Sequence, residues 1–300
     1  MPPLKGDDSM ETAKVWFTSE ITPEAVIKMY DAVGIKLGGN IAVKVHSGEK
    51  GNQNFLRPEF LRPAVDYVGG TVVECNTAYG GARNTTEKHR ELIAYHGWTK
   101  YFDVDLLDAD GPDMILPVKR GTVLSENHVG KNLANYTDLL VLSHFKGHPM
   151  GGYGGALKNI SIGIASSHGK AYIHGVKDVN AMWTADHDSF LECMADAAKS
   201  VVEYMHGKMA YVNIMCNMSV DCDCCAVAAD PKIKDIGILS SLDPVALDQA
   251  CLDLVYASDD EGKADLIERI ESRHGVHTIE AAAEIGVGSR EYELIDMDVK

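Results

Sequence analysis

Apolar positions along the chain fall into two alternating spacings. Short apolar runs without alternation occur at 41–46, 71–75, 139–142, 211–216 and 236–239. Such runs suit strands buried on both faces. Between them, apolar residues recur at helical spacing. Thr22-Pro23-Glu24 reads as an N-cap, a first-position proline and a first-turn acid, opening a helix that stops at Gly34. Pro58 opens the next helix, with Pro63 disturbing its first turns. A helix over 84–96 closes at Gly97. Asp188 caps a helix to about Met205, with Phe190, Met194, Ala197, Val201 and Met205 on one face. Asp243-Pro244 starts another, with Leu247, Ala250, Cys251 and Leu254 on one face. Stretches 260–273 and 278–285 read as two more, the last capped by Gly286. Short edge strands are expected at 114–118 and 121–123.

Strands alternating with helices at this spacing predict an α/β fold: a mostly parallel sheet with helices on both faces. No internal repeat or clear linker divides the chain. It reads as a single domain over 1–300, with sub-lobes of about 1–170 and 171–300, the C-terminal one smaller.

Charge narrows the partners. A net charge of −16 over 300 residues, with no basic patch in the sequence, argues against nucleic acid and anionic membrane as partners. A site for an anion must therefore be a local exception to the field. No apolar run is long enough to span a bilayer, and Met1-Pro-Pro-Leu-Lys-Gly-Asp-Asp lacks a signal-peptide core, so a cytoplasmic location is expected. Of seven cysteines, Cys216, Cys222, Cys224 and Cys225 lie close together, which in a cytosolic chain suggests metal or redox chemistry more than disulfides.

Polar groups collect at the ends of the predicted strands: Lys44 and His46, Asn76 and Thr77, His144 to His148, and Asp221 to Cys225. In a parallel sheet all strand C-termini lie along one edge, so these clusters are expected to converge there. Asp221-Cys222-Asp223-Cys224-Cys225, if extended, points Cys222 and Cys224 one way and Asp221, Asp223 and Cys225 the other. Two thiolates with His144 and His148 make a soft site for zinc or iron; the alternative is reduced thiols packed in a turn. Gly151-Gly152-Tyr153-Gly154-Gly155 fits neither the P-loop nor the dinucleotide fingerprint. It reads as an anion nest opening a helix, with Lys158, Asn159, Ser166 and Lys170 adding donors, or as a tight structural turn. Lys44 stands in an otherwise apolar strand. Burial there would depress its pKa and suit it to proton transfer; a solvated edge amine is the alternative.

Several longer motifs resemble a known family. Val43-Lys44-Val45-His46-x-Gly48-Glu49-x-Gly51-Asn52, Ser143-His144-Phe145-Lys146-Gly147-His148, Gly154-Gly155-Ala156-x-Lys158-Asn159, Asp221-Cys222-Asp223-Cys224 and Asp243-Pro244-Val245-Ala246-x-Asp248-Gln249-Ala250 are similar to motifs of the uncharacterised iron–sulfur centre protein family, domain-of-unknown-function family 362. The resemblance spans nearly the whole chain. It implies a core to which many members add a two-cluster ferredoxin segment after the stretch that is 165–170 here. This chain lacks that insert, since 171–188 contains no cysteine. The resemblance thus implies that any cluster or metal uses the Asp-Cys-Asp-Cys motif and its neighbours, with electrons from a separate ferredoxin-like partner.

Together these readings lead us to expect a metal- or iron–sulfur-dependent enzyme, of redox or lyase type, acting on a small anionic substrate. The metal ligands would be His144, His148, Cys222 and Cys224, and the proton-handling groups Lys44, His46 and Lys146. The anion would be held by Asn76, Thr77, Gly151, Gly152, Gly154, Gly155, Lys158, Asn159, Ser166 and Lys170. Two other readings stay open: a non-catalytic small-molecule carrier, and a structural zinc protein.

Overall fold

The structure, a computed structural model, describes residues 12–299; the N-terminal octapeptide read above lies outside the described residues. In chain order its elements are β1 (Ala13–Thr18), α1 (Pro23–Ala32), β2 (Ile41–Lys44), α2 (Pro58–Val68), β3 (Thr71–Glu74), α3 (Thr86–Tyr95), β4 (Asp105–Leu106), β5 (Met114–Pro117), β6 (Glu126–Val129), β7 (Asp138–His144), β8 (Lys146–His148) and β9 (Gly152–Gly154). There follow α4 (Ala156–Ser161), α5 (Ser167–His174), α6 (His187–Tyr204), β10 (Met209–Met215), β11 (Gly237–Ser241), α7 (Pro244–Ala257), α8 (Lys263–Ser272), α9 (Val276–Glu284) and β12 (Tyr292–Asp296).

Eight strands form one sheet in the order β12-β1-β11-β10-β7-β2-β3-β4. All run parallel except β11, which is antiparallel to both β1 and β10. The expected mostly parallel α/β fold is therefore what the chain adopts. The unbroken apolar runs are explained by coverage of both faces. Leu139 and Val141 of β7 join Ala42, Val73 and Tyr211 in a core packed by α4, α6, α7 and α9. Leu140 and Leu142 point the other way, with Ile41, Val43 and Val212, into a core packed by α1 and α2. β7, at the sheet's centre, is buried at every residue.

Helix starts follow their caps. Thr22 accepts from the Ala25 amide with Pro23 at the first position, and Asp243 does the same for Val245 and Ala246 ahead of Pro244. Three details differ from expectation. Pro63 sits inside α2, which continues through it. The cap of α6 is Asp186, which accepts from Ser189, whereas Asp188 bonds His274. Stretch 121–123 is not a strand: the amides of Thr122, Val123 and Leu124 all turn onto the buried Asp196 carboxylate at 2.7–2.8 Å. The partner of β5 is β6 instead, in a separate two-stranded ribbon.

Candidate active site

β2, β3, β7 and β10 deliver their C-terminal ends to one edge of the sheet, and the loops beyond them enclose a cavity of about 260 Å³. That volume falls just below the usual range for drug-sized ligands and suits a small molecule. Its wall includes Lys44, His46, Thr77, His144, Lys146, His148, Gly154, Gly155, Lys158, Asn159, Lys170 and Cys224, drawn from four strand ends and two helices. The expected convergence is thus met by most of the residues named from the sequence. Asn76 and Ser166 line a neighbouring crevice instead. Gly151 and Gly152 stand behind the wall, Gly152 at φ 77° against Gly275.

The cysteine motif reaches the cavity because Gly147 of β8 has no side chain. A Cβ there would stand 2.3 Å from the Val220 carbonyl, and its amide donates to the Ser219 carbonyl at 2.8 Å. This contact docks 219–225 against the β8–β9 hairpin. Cys222, Cys224 and His148 then bring their ligand atoms within 4.8 Å of one another. Burial pushes the Cys222 thiol up to about 11, and burial followed by the Lys158 charge pulls His148 down to about 3. His148 is therefore neutral at pH 7. Its Nδ1 accepts the Met150 and Gly151 amides at 3.2 and 2.8 Å, which leaves the ring proton on Nε2, 3.8 Å from Cys224 Sγ. In this orientation His148 is a donor toward sulfur.

His144, expected beside it, stands outside this group. Its Nδ1 lies 2.9 Å from an Asp223 oxygen and its Nε2 2.6 Å from the Cys216 carbonyl, so both nitrogens face oxygen acceptors and no lone pair is free for a metal. Asp223 also takes Lys146 Nζ at 2.9 Å. Burial works against the Lys146 ammonium, but Asp223 and the neighbouring thiols outweigh it and hold its pKa above the ordinary lysine value.

Lys44 is buried, as the apolar strand suggests. Its Nζ donates to Glu74 Oε2 at 2.8 Å and to the Val45 carbonyl. Burial lowers its pKa, with Glu74 opposing. Glu74 also accepts the Ser47 amide and hydroxyl at 2.9 and 3.0 Å and lies 3.7 Å from Arg83 Nη1. Arg83 pairs in turn with Glu49 at 3.3 Å. His46, beside it, accepts the Gly48 amide on Nδ1, and its pKa falls well below the ordinary value through burial and then the Arg83 charge. Glu74, Arg83, Glu49 and Asp223 were not identified from the sequence as partners here. The available signal was Glu74, an acid in an apolar strand just as Lys44 is a base in one.

The glycine turn does open a helix, but the anion at its N-terminus belongs to the protein. The Ala156 and Leu157 amides donate to Asp248 Oδ1 and Oδ2 at 2.8 and 2.9 Å, and a Cβ on Gly155 would stand 2.4 Å from Oδ1. The expected nest for a ligand anion is corrected accordingly. The cations that remain are Lys158 and Lys170. Lys158 makes no side-chain hydrogen bond or ion pair among the described residues, and Lys170 Nζ reaches only the Ala165 carbonyl, at 2.6 Å. Lys44, Lys146 and Arg83 each have a carboxylate; these two do not.

Fold and site together define an α/β protein with a cationic, thiol-bearing cavity at the carboxyl edge of its sheet. The chain belongs to the family described as a domain of unknown function, DUF362, which matches residues 41–253. Among solved structures it is similar to the lactate racemase apoprotein from Thermoanaerobacterium thermosaccharolyticum, at 11% identity, covering 95% of this chain and 82% of that one with a TM-score of 0.47. It is also similar to a structural-genomics protein from Thermotoga maritima, at 10% identity, covering 89% of this chain and 60% of that one with a TM-score of 0.46. No curated protein matches the chain. Among the described residues no helix is long and apolar enough to cross a membrane.

Proposed function

We propose that this protein is a metal-dependent enzyme, of redox or lyase type, that draws a small anionic substrate into the cavity at the sheet's carboxyl edge. The observation that carries the anionic half is the pair Lys158 and Lys170, two ammonium groups without carboxylate partners on the wall of a cavity in a chain of net charge −16. Buried carboxylates balance the other cations, so the surplus acts on whatever enters.

The metal half rests on the chemistry of the donor set: two thiols, with an imidazole beside them, suit a soft metal. Cys222 and Cys224 would hold it, either as a mononuclear zinc or iron or as an iron–sulfur centre, and His148 Nε2–H would donate to a sulfur. When bound, such a centre supplies Lewis acidity or a route for electrons, the latter from a separate ferredoxin-like donor. Around it, Lys158 and Lys170 fix the substrate's negative group, and Asn159, held by the Leu142 carbonyl and the Ser143 hydroxyl at 3.3 and 3.0 Å, shapes the wall. Lys44, its pKa lowered by burial and its proton shared with Glu74, is the best-placed proton carrier. Lys146, held charged by Asp223, suits electrostatic stabilisation better than proton transfer.

Two measurements test this. Inorganic phosphate titrated calorimetrically into the full chain should bind, and Lys158→Ala and Lys170→Ala should each weaken it by about tenfold or more, the value of one charge-assisted contact. Equal affinity in all three proteins would end the anion reading. Chain purified without oxygen should carry iron or zinc that is lost in Cys222→Ala/Cys224→Ala; metal-free wild-type protein would end the metal reading.

A further inference from the structure

A second cluster of potential ligands lies away from the thiols, on the other side of α5. Asp113 precedes β5, His128 lies on β6, and His168 sits in the first turn of α5. Their ligand atoms fall within 4.8 Å of one another. His168 Nδ1 is 3.2 Å and His128 Nδ1 3.9 Å from the same oxygen, Asp113 Oδ2. The two rings meet edge to face at 4.8 Å between centroids.

The backbone forces this meeting. The Ser166 amide donates to the His128 carbonyl at 3.1 Å, Val129 bridges Ala165, and a Cβ on Gly169 would stand 1.9 Å from the His128 oxygen. Only glycine permits that approach, so both histidines stand on elements locked together by main-chain contacts.

The ring orientation at His128 is the telling feature. Its Nε2 lies 3.2 Å from Glu126 Oε1, an arrangement that draws the ring proton to Nε2 and turns the Nδ1 lone pair toward Asp113 and His168. A lone pair facing a carboxylate oxygen is unfavourable unless a positive centre, a second ring proton or a metal ion, stands between them. A histidine whose far nitrogen is turned to a carboxylate is the usual form of a metal-ligating imidazole. His148 has the opposite arrangement, its Nδ1 accepting from two amides.

We infer that Asp113, His128 and His168 form a divalent-cation site, with Glu126 orienting His128. Two imidazoles and one carboxylate suit zinc or iron(II) and leave coordination positions open to water. His128 and Asp113 are largely covered, their side chains 14% and 23% exposed, while His168, at 53%, faces the solvent from which the ion arrives. The ion would clamp the β5–β6 ribbon to α5, whose first turn also carries Lys170 into the cavity. The inference is independent of the thiols and of the proposed reaction.

The test uses untagged, chelator-treated full chain carrying Cys222→Ser and Cys224→Ser, which removes the thiol site. Zinc counted by equilibrium dialysis should drop by one ion per chain on adding His128→Ala or His168→Ala. Cobalt(II) at the same site should give visible absorption without a sulfur-to-metal charge-transfer band. Glu126→Gln, which keeps the ligands, should weaken zinc by roughly 10–100-fold. Because a serine pair or an alanine could unfold the chain, the count is repeated with native cysteines and each variant is checked by circular dichroism. A folded variant lacking His128 or His168 that binds as many ions as its parent, or a parent that takes no zinc beyond the thiol site, would overturn the inference.

Discussion

Asp248→Ala is expected to destabilise the fold by about 3–5 kcal/mol, since it removes the acceptor from several buried donors at once. The Asp248 carboxylate takes the Ala156 and Leu157 amides, Asn213 Nδ2 at 2.7 Å and the Tyr153 hydroxyl at 3.2 Å. It ties α7, on which it sits, to α4, β9 and β10, all in the core beneath the cavity. The residue is fully buried, so its donors are screened from bulk solvent in the folded chain. Thermal unfolding should show a Tm lower by roughly 10 °C, given about 2–4 °C per kcal/mol for a chain approaching this size. A loss under about 1 kcal/mol would mean that the four donors find other acceptors, and that Asp248 is not the anchor of α4. The pH profile adds a second check. Burial pushes the Asp248 carboxyl up to about 6, above its unfolded value. The folded chain then binds the extra proton, so this group's contribution to stability is complete below the unfolded pKa and declines as pH rises through about 6. Asp248→Ala should flatten that decline.

How much of this was open to sequence reading depended on whether the cause was local. Pro23, Pro58 and Asp243-Pro244 mark helix starts by chemistry confined to one turn, and each start falls where the residues put it. The convergence of Lys44, His144 to Lys146 and the cysteine motif followed from parallel strand ends alone. Direction and pairing are different matters. Nothing in the apolar run of β11 distinguishes an antiparallel strand from its parallel neighbours, because burial on both faces gives the same pattern either way. β1 and β12 were missed; they pair across nearly the whole chain, β12 at the sheet's edge interleaves apolar with exposed acidic positions, and the apolar run of β1 is only Val15 to Phe17. The site shows the same division. Residue types that could bind a metal or an anion were visible, but which of them the fold itself consumes was not. Asp248 lies on a helix whose apolar face was named without it, and proves to be the anion at the glycine turn. His144 reads as a ligand, yet both of its nitrogens meet oxygen acceptors supplied by 216 and 223. Lys158 and Lys170 gain their interest from what the surrounding carboxylates leave unpaired, a property of the assembled cavity.

Glu74→Gln carries the second large effect, again about 3–5 kcal/mol, because it strands a buried ammonium. Glu74 and Lys44 are 3% and 1% exposed, and the amide that replaces the carboxylate leaves Lys44 with the Val45 carbonyl and no counter-charge. Acid should reveal the cause. Burial works against the Glu74 carboxylate, but Lys44, His46 and Arg83 hold its pKa well below the ordinary value. The unfolded chain therefore takes up the proton first, so the stabilisation is complete above the unfolded pKa of about 4.5 and fades as pH falls through the depressed folded value. The gap between wild type and Glu74→Gln should accordingly narrow in strong acid, measured by urea unfolding at a series of pH values. Alkali should do the opposite of harm to the variant. With Glu74 gone, Lys44 loses the interaction that opposes its desolvation, its pKa drops further, and shedding the proton relieves the buried charge. Adding Lys44→Met should recover much of the loss, a coupling that a double-mutant cycle reads directly. Additive effects, with no recovery in the double variant, would show that the two side chains do not depend on each other and that Lys44 is not held at the cavity floor by Glu74. Its ammonium would then lack the carboxylate that keeps it at the cavity wall.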